Sequence, residues 1–204
     1  MRPPASFVRA MRGIISIVSI GLLVIASHPV SAGIPLPPPD QVACDFVTGG
    51  GFIVGSSGPP VSSLPAGARA NFGVGGGVKN GAFWGHLEYN DHSTNPPIQV
   101  HGTGVTGYFQ GLNGPNDRII TGTAQVNGTS GFTYRVEVND IMEPGRDADQ
   151  FTIELFNPPT VPDVYHAGFE YQDGPIQGGN IQLHKGNPSN TPPPDFTCSM
   201  PTPP

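Results

Sequence analysis

The stretch Phe132-Thr-Tyr-Arg-Val-Glu-Val-Asn139, FTYRVEVN, alternates without a break. Phe132, Tyr134, Val136 and Val138 are apolar or aromatic, while Thr133, Arg135, Glu137 and Asn139 are polar. Successive side chains of a strand point to opposite faces, so a period of two sends one row into a core and the other into water. Farther on, Phe151, Ile153 and Leu155 repeat the pattern against Thr152 and Glu154. Between the two runs lies DIMEPGRDADQ, residues 140–150, with the turn dipeptide Pro144-Gly145. Two strands joined by a long polar loop give the unit from which the rest of the chain is read.

The same chemistry recurs on both sides. Strand-like runs occur at 45–54 (DFVTGGGFIV), 69–78, 97–102, 105–109, 118–126, 165–171 and 180–185. In AFWGHLEYN, Phe83, Leu87 and Tyr89 share a face, with Gly85 as a gap between them. No window shows convincing helical periodicity. Short strands separated by turn residues every few positions predict an all-β protein, a single β-sandwich or jelly-roll-like domain of about ten short strands over residues 44–185. The GGG runs inside two of the strands predict bulges or sharp bends.

The chain ends read differently. Arg2, Arg9 and Arg12 precede a largely apolar run from Ile14 to Ala26, and small residues follow at Val30-Ser31-Ala32. That three-part order predicts a secretory signal peptide over 1–32, with cleavage after Ala32. The run falls short of the ~20 apolar residues of a transmembrane helix. Proline-rich segments at 33–43 and 186–204 frame the domain as extended linkers or braces. The expected location is secreted, extracellular or periplasmic, with no stable membrane insertion once the leader is removed.

Nine basic residues stand against fifteen acidic ones, a formal net charge of −6. Loss of the leader arginines makes the remainder more acidic still. Such a chain is a poor partner for nucleic acid and a reasonable cation binder. Its two cysteines, Cys44 and Cys198, sit near opposite ends of the mature domain. Outside the cell they are expected to pair, closing a long loop for about 5 kcal/mol at most.

Several segments taken together, FVTGGGFI, NFGVGGGVKNGAFWGHLEYNDH, VHGTGVTGYF, ITGTAQVNGTSGFTYRVEVNDIMEPGRDADQFTIEL and GGNIQLHK, resemble the bacterial secreted post-COAP domain, named for its place after choice-of-anchor modules. The resemblance spans Phe46 to Lys185 and implies an extracellular β-sandwich module. It carries no catalytic residues. Asp140, Pro144-Gly145, Asp149 and Phe151 match the family's Asp, Gly-rich turn, Asp and Phe-led strand.

Four carboxylates fall in the central loop: Asp140, Glu143, Asp147 and Asp149. Three chemistries fit them. They could be a polar hairpin tip whose aspartates accept backbone N–H bonds. They could be a calcium site, since Ca2+ takes six to eight oxygens, although the EF-hand spacing is missing and Arg146 opposes a dense anionic cage. Or Asp140 with Asp149, like Glu88 with Asp91, could form the paired acids of a glycosidase. His86, Glu88, Asp91 and His92 are zinc-ligand types in one short stretch, but without a cupin His-x-His. Asn127-Gly-Thr129 is a formal glycosylation sequon. No Gly-x-Ser-x-Gly elbow or phosphate cradle occurs.

The expected function is a non-catalytic secreted module for extracellular binding, adhesion or structure, stiffened by Ca2+ where the central loop is read as a cation site. Its partners are glycans or cell-surface components, with Trp84, Tyr89, Tyr108 and Tyr171 as candidate stacking residues. The alternative is a glycosidase-like extracellular hydrolase using paired carboxylates.

Overall fold

The computed structural model describes residues 41–158 and 163–199. The expected signal peptide and most of the first proline-rich segment lie outside the described residues. Among the described residues there are eleven strands, β1 (Gln41–Ala43), β2 (Phe46–Val54), β3 (Arg69–Lys79), β4 (Ala82–Asp91), β5 (Ile98–Gln110), β6 (Asp117–Val126), β7 (Thr129–Asn139), β8 (Gln150–Phe156), β9 (Tyr165–Gly168), β10 (Gly178–His184) and β11 (Thr197–Ser199). One 3-10 turn, Phe169–Tyr171, follows β9. The protein is all-β.

Nine strands form one antiparallel sheet in the order β10-β2-β3-β4-β5-β6-β7-β8-β9, and β1 pairs with β11 in parallel. From β3 to β9 each strand pairs antiparallel with its predecessor, so each run returns beside the one before it. Asn80-Gly81 and Asn127-Gly128 both have positive φ at the two hairpin corners between β3 and β4 and between β6 and β7, the geometry that Asn-Gly supplies at least cost. The runs expected at 97–102 and 105–109 are one strand, β5, kinked by register shifts at Gly102/Gly104 and Val105/Gly107. A bulge bends a strand without ending it.

The sheet curls until β2–β4 face β7–β9 across one core, a sandwich-like arrangement. Phe72 on β3 stacks on Phe151 of β8 with ring centroids 3.9 Å apart, and Tyr89 on β4 meets Tyr165 of β9 at 5.8 Å. The inward row of β7 is as expected: Tyr134, Val136 and Val138 are buried and Phe132 packs against the core. The expected wet row is not wet. Glu137, Asn139 and Thr152 are each less than a tenth exposed. The loop between β5 and β6 and the 3-10 turn cover them, with Asn113 Nδ2 donating to Glu137 Oε1 at 2.7 Å and the Glu170 N–H donating to Thr152 Oγ1 at 3.2 Å. Alternation reports a polar row; it does not report that other polar groups come to sit on it.

Both edges of the sheet are closed. On β9, the Ser63 N–H donates to the His166 carbonyl at 2.8 Å and the His166 N–H donates back to Ser63 Oγ at 3.1 Å. On β10, the outward N–H groups of Ile181 and Leu183 donate to carboxylates of Asp149 and Asp140, each at 2.8 Å. Open edges invite pairing with other chains, and both are blunted here.

The second proline-rich segment is pinned, at least as far as Ser199. Asn190 Nδ2 donates to the Val78 carbonyl at 2.7 Å, Phe196 meets Phe83 edge-on at 5.2 Å, and Cys198 is disulfide-bonded to Cys44. The disulfide thus locks the β1–β11 pair, and the two cysteines meet as expected. Among the described residues no helix is long and apolar enough to cross a membrane.

Candidate functional site

The outer face of β3, β4 and β5 follows from strand parity. Ala70, Phe72 and Val74 point inward on β3, which turns Asn71 and Gly73 outward; Leu87 and Tyr89 do the same for Glu88 and Asn90 on β4. The ladder register then lines these positions up. Gly73 sits opposite Glu88, Glu88 opposite His101 and His101 opposite Gln125, while Asn71, Asn90 and Gln99 form a second row beside the first. Together they line an open groove of about 550 Å3.

Its floor is low because Gly73 carries no side chain: a Cβ built there would meet nothing within 4 Å. Glycine in a strand interior costs stability and often marks a place where something approaches the backbone closely. At the centre, His101 Nδ1 and Glu88 Oε1 are 2.5 Å apart, and both side chains are 62% exposed. Asn90 Oδ1 is buried without a hydrogen-bond partner among the described residues. No Lys or Arg lines the groove. Arg69 stands at its rim, held over the Phe52 ring at 3.8 Å and donating to Asn71 Oδ1 at 2.9 Å. The arrangement offers amides, a carboxylate and an imidazole, which can donate and accept together, and nothing that would neutralise an anion inside the groove.

The four loop carboxylates are split among different tasks. Asp149 is fully buried; one oxygen accepts the N–H groups of Ile141 (3.0 Å) and Met142 (3.3 Å), and the other accepts Ile181. Asp140 takes Leu183. Glu143 is exposed, and Asp147, also exposed, pairs with its neighbour Arg146 at 3.3 Å. Among the described residues no three His, Cys, Asp or Glu are grouped to hold a metal ion.

The other candidates also separate. Glu88 faces the groove, but Asp91 points into the core, where it accepts Tyr165 Oη at 2.9 Å and the Ser93 N–H at 2.7 Å. The two lie on opposite faces of β4 and cannot flank one bond. His86 lies over Gly75, and His92 reaches Asn71 at 3.1 Å. The four candidate stacking aromatics do not share one platform: Tyr89 and Tyr108 are core residues, while Trp84 is half-buried beside Phe46 and Tyr171, also half-buried, stacks on His166 at 4.0 Å while donating to Glu154 at 2.6 Å. Asn127 closes the β6–β7 turn by accepting the Gln99 N–H at 2.7 Å.

A second polar cluster, unforeseen in the sequence, lies under the 3-10 turn. Arg135 is paired with Glu137, with Glu154 at 3.2 Å and with Glu170 at 3.8 Å. Asp117 is fully buried, accepts the Asn113 N–H at 2.8 Å, and has an Oδ1 with no partner among the described residues. Burial, and then the Glu137 charge, push its carboxyl up to about 7; the same two causes raise Glu170 to about 7. The cavity between them is about 10 Å3, room for about one water. No sugar ring enters such a space.

Comparison with family models, with characterised proteins and with solved structures gives no match to this chain. The function must be argued from the sites themselves.

The groove residues Asn71, Asn90, Gln99, His101 and Gln125 went unread in the sequence because they are ordinary polar residues. Their one signal is parity: each falls at a non-core position of a strand, and register alone gathers them.

Proposed function

We propose that this protein is a secreted, non-catalytic binding module, related to the post-COAP domains its motifs resemble, and that it takes a polar extracellular ligand in the groove over Gly73. The observation that carries the reading is the bare Gly73 floor between amide, carboxylate and imidazole side chains. A folded domain has no need of an unfilled depression across its sheet. Asn90 adds to this: an unsatisfied buried acceptor costs about 1–3 kcal/mol, which a ligand donor that draws the amide outward recovers. The disulfide is compatible with an oxidising, extracellular setting.

The hydrolase alternative is weaker on this geometry. Glycosidase acids must flank a bond across roughly 5–9 Å of accessible space. The carboxyls with raised proton affinity face a cavity the size of one water, and the groove holds only one carboxylate, Glu88.

The test is pull-down of the chain on a panel of insoluble extracellular polymers, scored with wild type and with Gly73→Trp. Retention on at least one polymer that is lost in the variant, with both proteins melting alike and no reducing ends released, is the expected result. Equal retention of the two proteins rules out the groove, and release of reducing ends rules out a non-catalytic role.

A further inference from the structure

The shape and chemistry of the groove say more than that something binds. Its central row runs across the strands and not along them. Gly73, Glu88, His101, Gln125 and Ser130 are successive register partners on β3, β4, β5, β6 and β7. Side chains at paired positions share a face, and Gln125 Nε2 donates to Ser130 Oγ at 3.0 Å, so the row stays continuous over the register shift at Ala124/Gln125. Four steps of about 4.8 Å make a track of about 19 Å.

Both flanks of the track are polar. On one side stand Asn71, Asn90 and Gln99; on the other His86, lying over Gly75, and then Thr103 and Thr123, whose hydroxyls meet at 2.8 Å, with Thr133 paired to Thr123. Within the central pair, Glu88 Oε2 and His101 Nε2 make no hydrogen bond to the described residues, which leaves one acceptor and one imidazole nitrogen for a ligand. The groove lining holds one carboxylate, Glu88, and no Lys or Arg, with Arg69 at the rim engaged by Asn71, so a polyanion meets an acid at the centre and no lysine or arginine beside it. Phe72, Tyr89 and Val100 also line the groove, but their side chains are buried in the core, so a lipid or an aromatic ligand meets no exposed large apolar side chain there. A ligand with many hydroxyls, each both donor and acceptor, fits the amide and hydroxyl flanks at every step. A flat ring can lie directly on the backbone at Gly73, where space above the Cα is open.

Resting on the groove reading above, we infer that the ligand is a neutral, linear oligosaccharide whose chain crosses β3 to β7, with one end over Gly73 and the other at Gln125 and Ser130. Several sugar units then contact the protein at once, and affinity depends on chain length up to the length of the track.

The experiment is titration calorimetry of the full chain with cello-, xylo- and malto-oligosaccharides of increasing length from the monosaccharide, together with a uronic-acid oligomer, on wild type, Gln125→Ala and Gly73→Trp. For at least one neutral series, affinity is expected to rise at least tenfold between the dimer and the longer oligomers and then to level off. Gln125→Ala should remove most of that rise, and Gly73→Trp should abolish binding of every length; a rise that Gln125→Ala leaves intact overturns the crossing track. Equal affinity for dimer and longer chains overturns the crossing track but leaves a groove module standing. Preference for the uronic-acid oligomer overturns the neutral-ligand assignment. No sugar binding at all, beside polymer retention that Gly73→Trp still abolishes, overturns the oligosaccharide while sparing the groove.

Discussion

The Asp149 carboxylate and the Ile181 backbone N–H lie 2.8 Å apart, and that bond joins the loop between β7 and β8 to the outer edge of β10. The partner oxygen takes two more N–H groups, from Ile141 and Met142. A fully buried carboxylate so bound organises its own loop and blunts the edge strand together.

Asp149→Ala should therefore destabilise the domain by about 3–5 kcal/mol, because three backbone donors lose a charged acceptor in a buried place. In a domain of this size that is a fall in midpoint on the order of 10 °C. Gly145→Ala tests the same contact from the other side, since its Cβ would stand 1.6 Å from Asp149 Oδ2. Melts in excess EDTA and in millimolar Ca2+ should superimpose for wild type. A calcium-dependent rise that Asp149→Ala removes would replace the latch by a cation site.

Reduction of Cys44–Cys198 should lower stability by up to about 5 kcal/mol, for the bridge closes a loop with a sequence separation of 154. Cys198 is exposed, so mild reductant should reach it. The β1–β11 pair should loosen first, and amide exchange at Val42 and Cys198 before and after reduction reads it. Unchanged exchange would mean that the tail packing at Asn190 and Phe196 holds the end without the bridge.

The carboxyls under the 3-10 turn set a pH dependence. Asp117 and Glu170 are both raised to about 7, from ordinary values of 3.8 and 4.5, with burial the largest cause and Glu137 the second. Between about pH 4 and about pH 7 the folded protein keeps protons that the unfolded chain has released. Their contribution to stability is therefore full below that window, falls as pH rises through it and is level above. Asp117→Asn, which holds the neutral form at all pH values, should gain on wild type as pH rises. Urea midpoints at the two ends of the window read the difference, and parallel pH profiles would rule out Asp117 as a source.

Glycines that look alike in sequence should behave differently. Gly73→Ala should leave the melt within about a degree of wild type, because its Cβ enters open space. Gly76→Ala should cost about 1–3 kcal/mol, since its Cβ would come within 2.8 Å of Ile120 in a packed core. Equal costs at the two positions would mean that the depression over Gly73 is not open in solution.

The sequence by itself determined that this chain is built from strands, which residues of β4, β7 and β8 share a face, and that its two cysteines should meet. Those follow from period-two alternation, turn dipeptides and cysteine count, all local or nearly so. The glycine runs of β2 and β3 were expected to bulge, yet both strands pair in unbroken register, and the register shifts fall in the β5–β6 and β6–β7 ladders instead. Only the tertiary structure decided that Glu137 and Thr152 lie under a lid, that Glu88 and Asp91 look in opposite directions into unlike surroundings, and that Asp149 serves an edge strand over thirty residues away (|i−j| = 32). It alone set the strand order and register that bring Gly73, Glu88, His101, Gln125 and Ser130 into one row. The reason is physical: alternation fixes the face on which a side chain emerges, whereas its neighbours on that face come from pairing between distant segments, which no single stretch encodes.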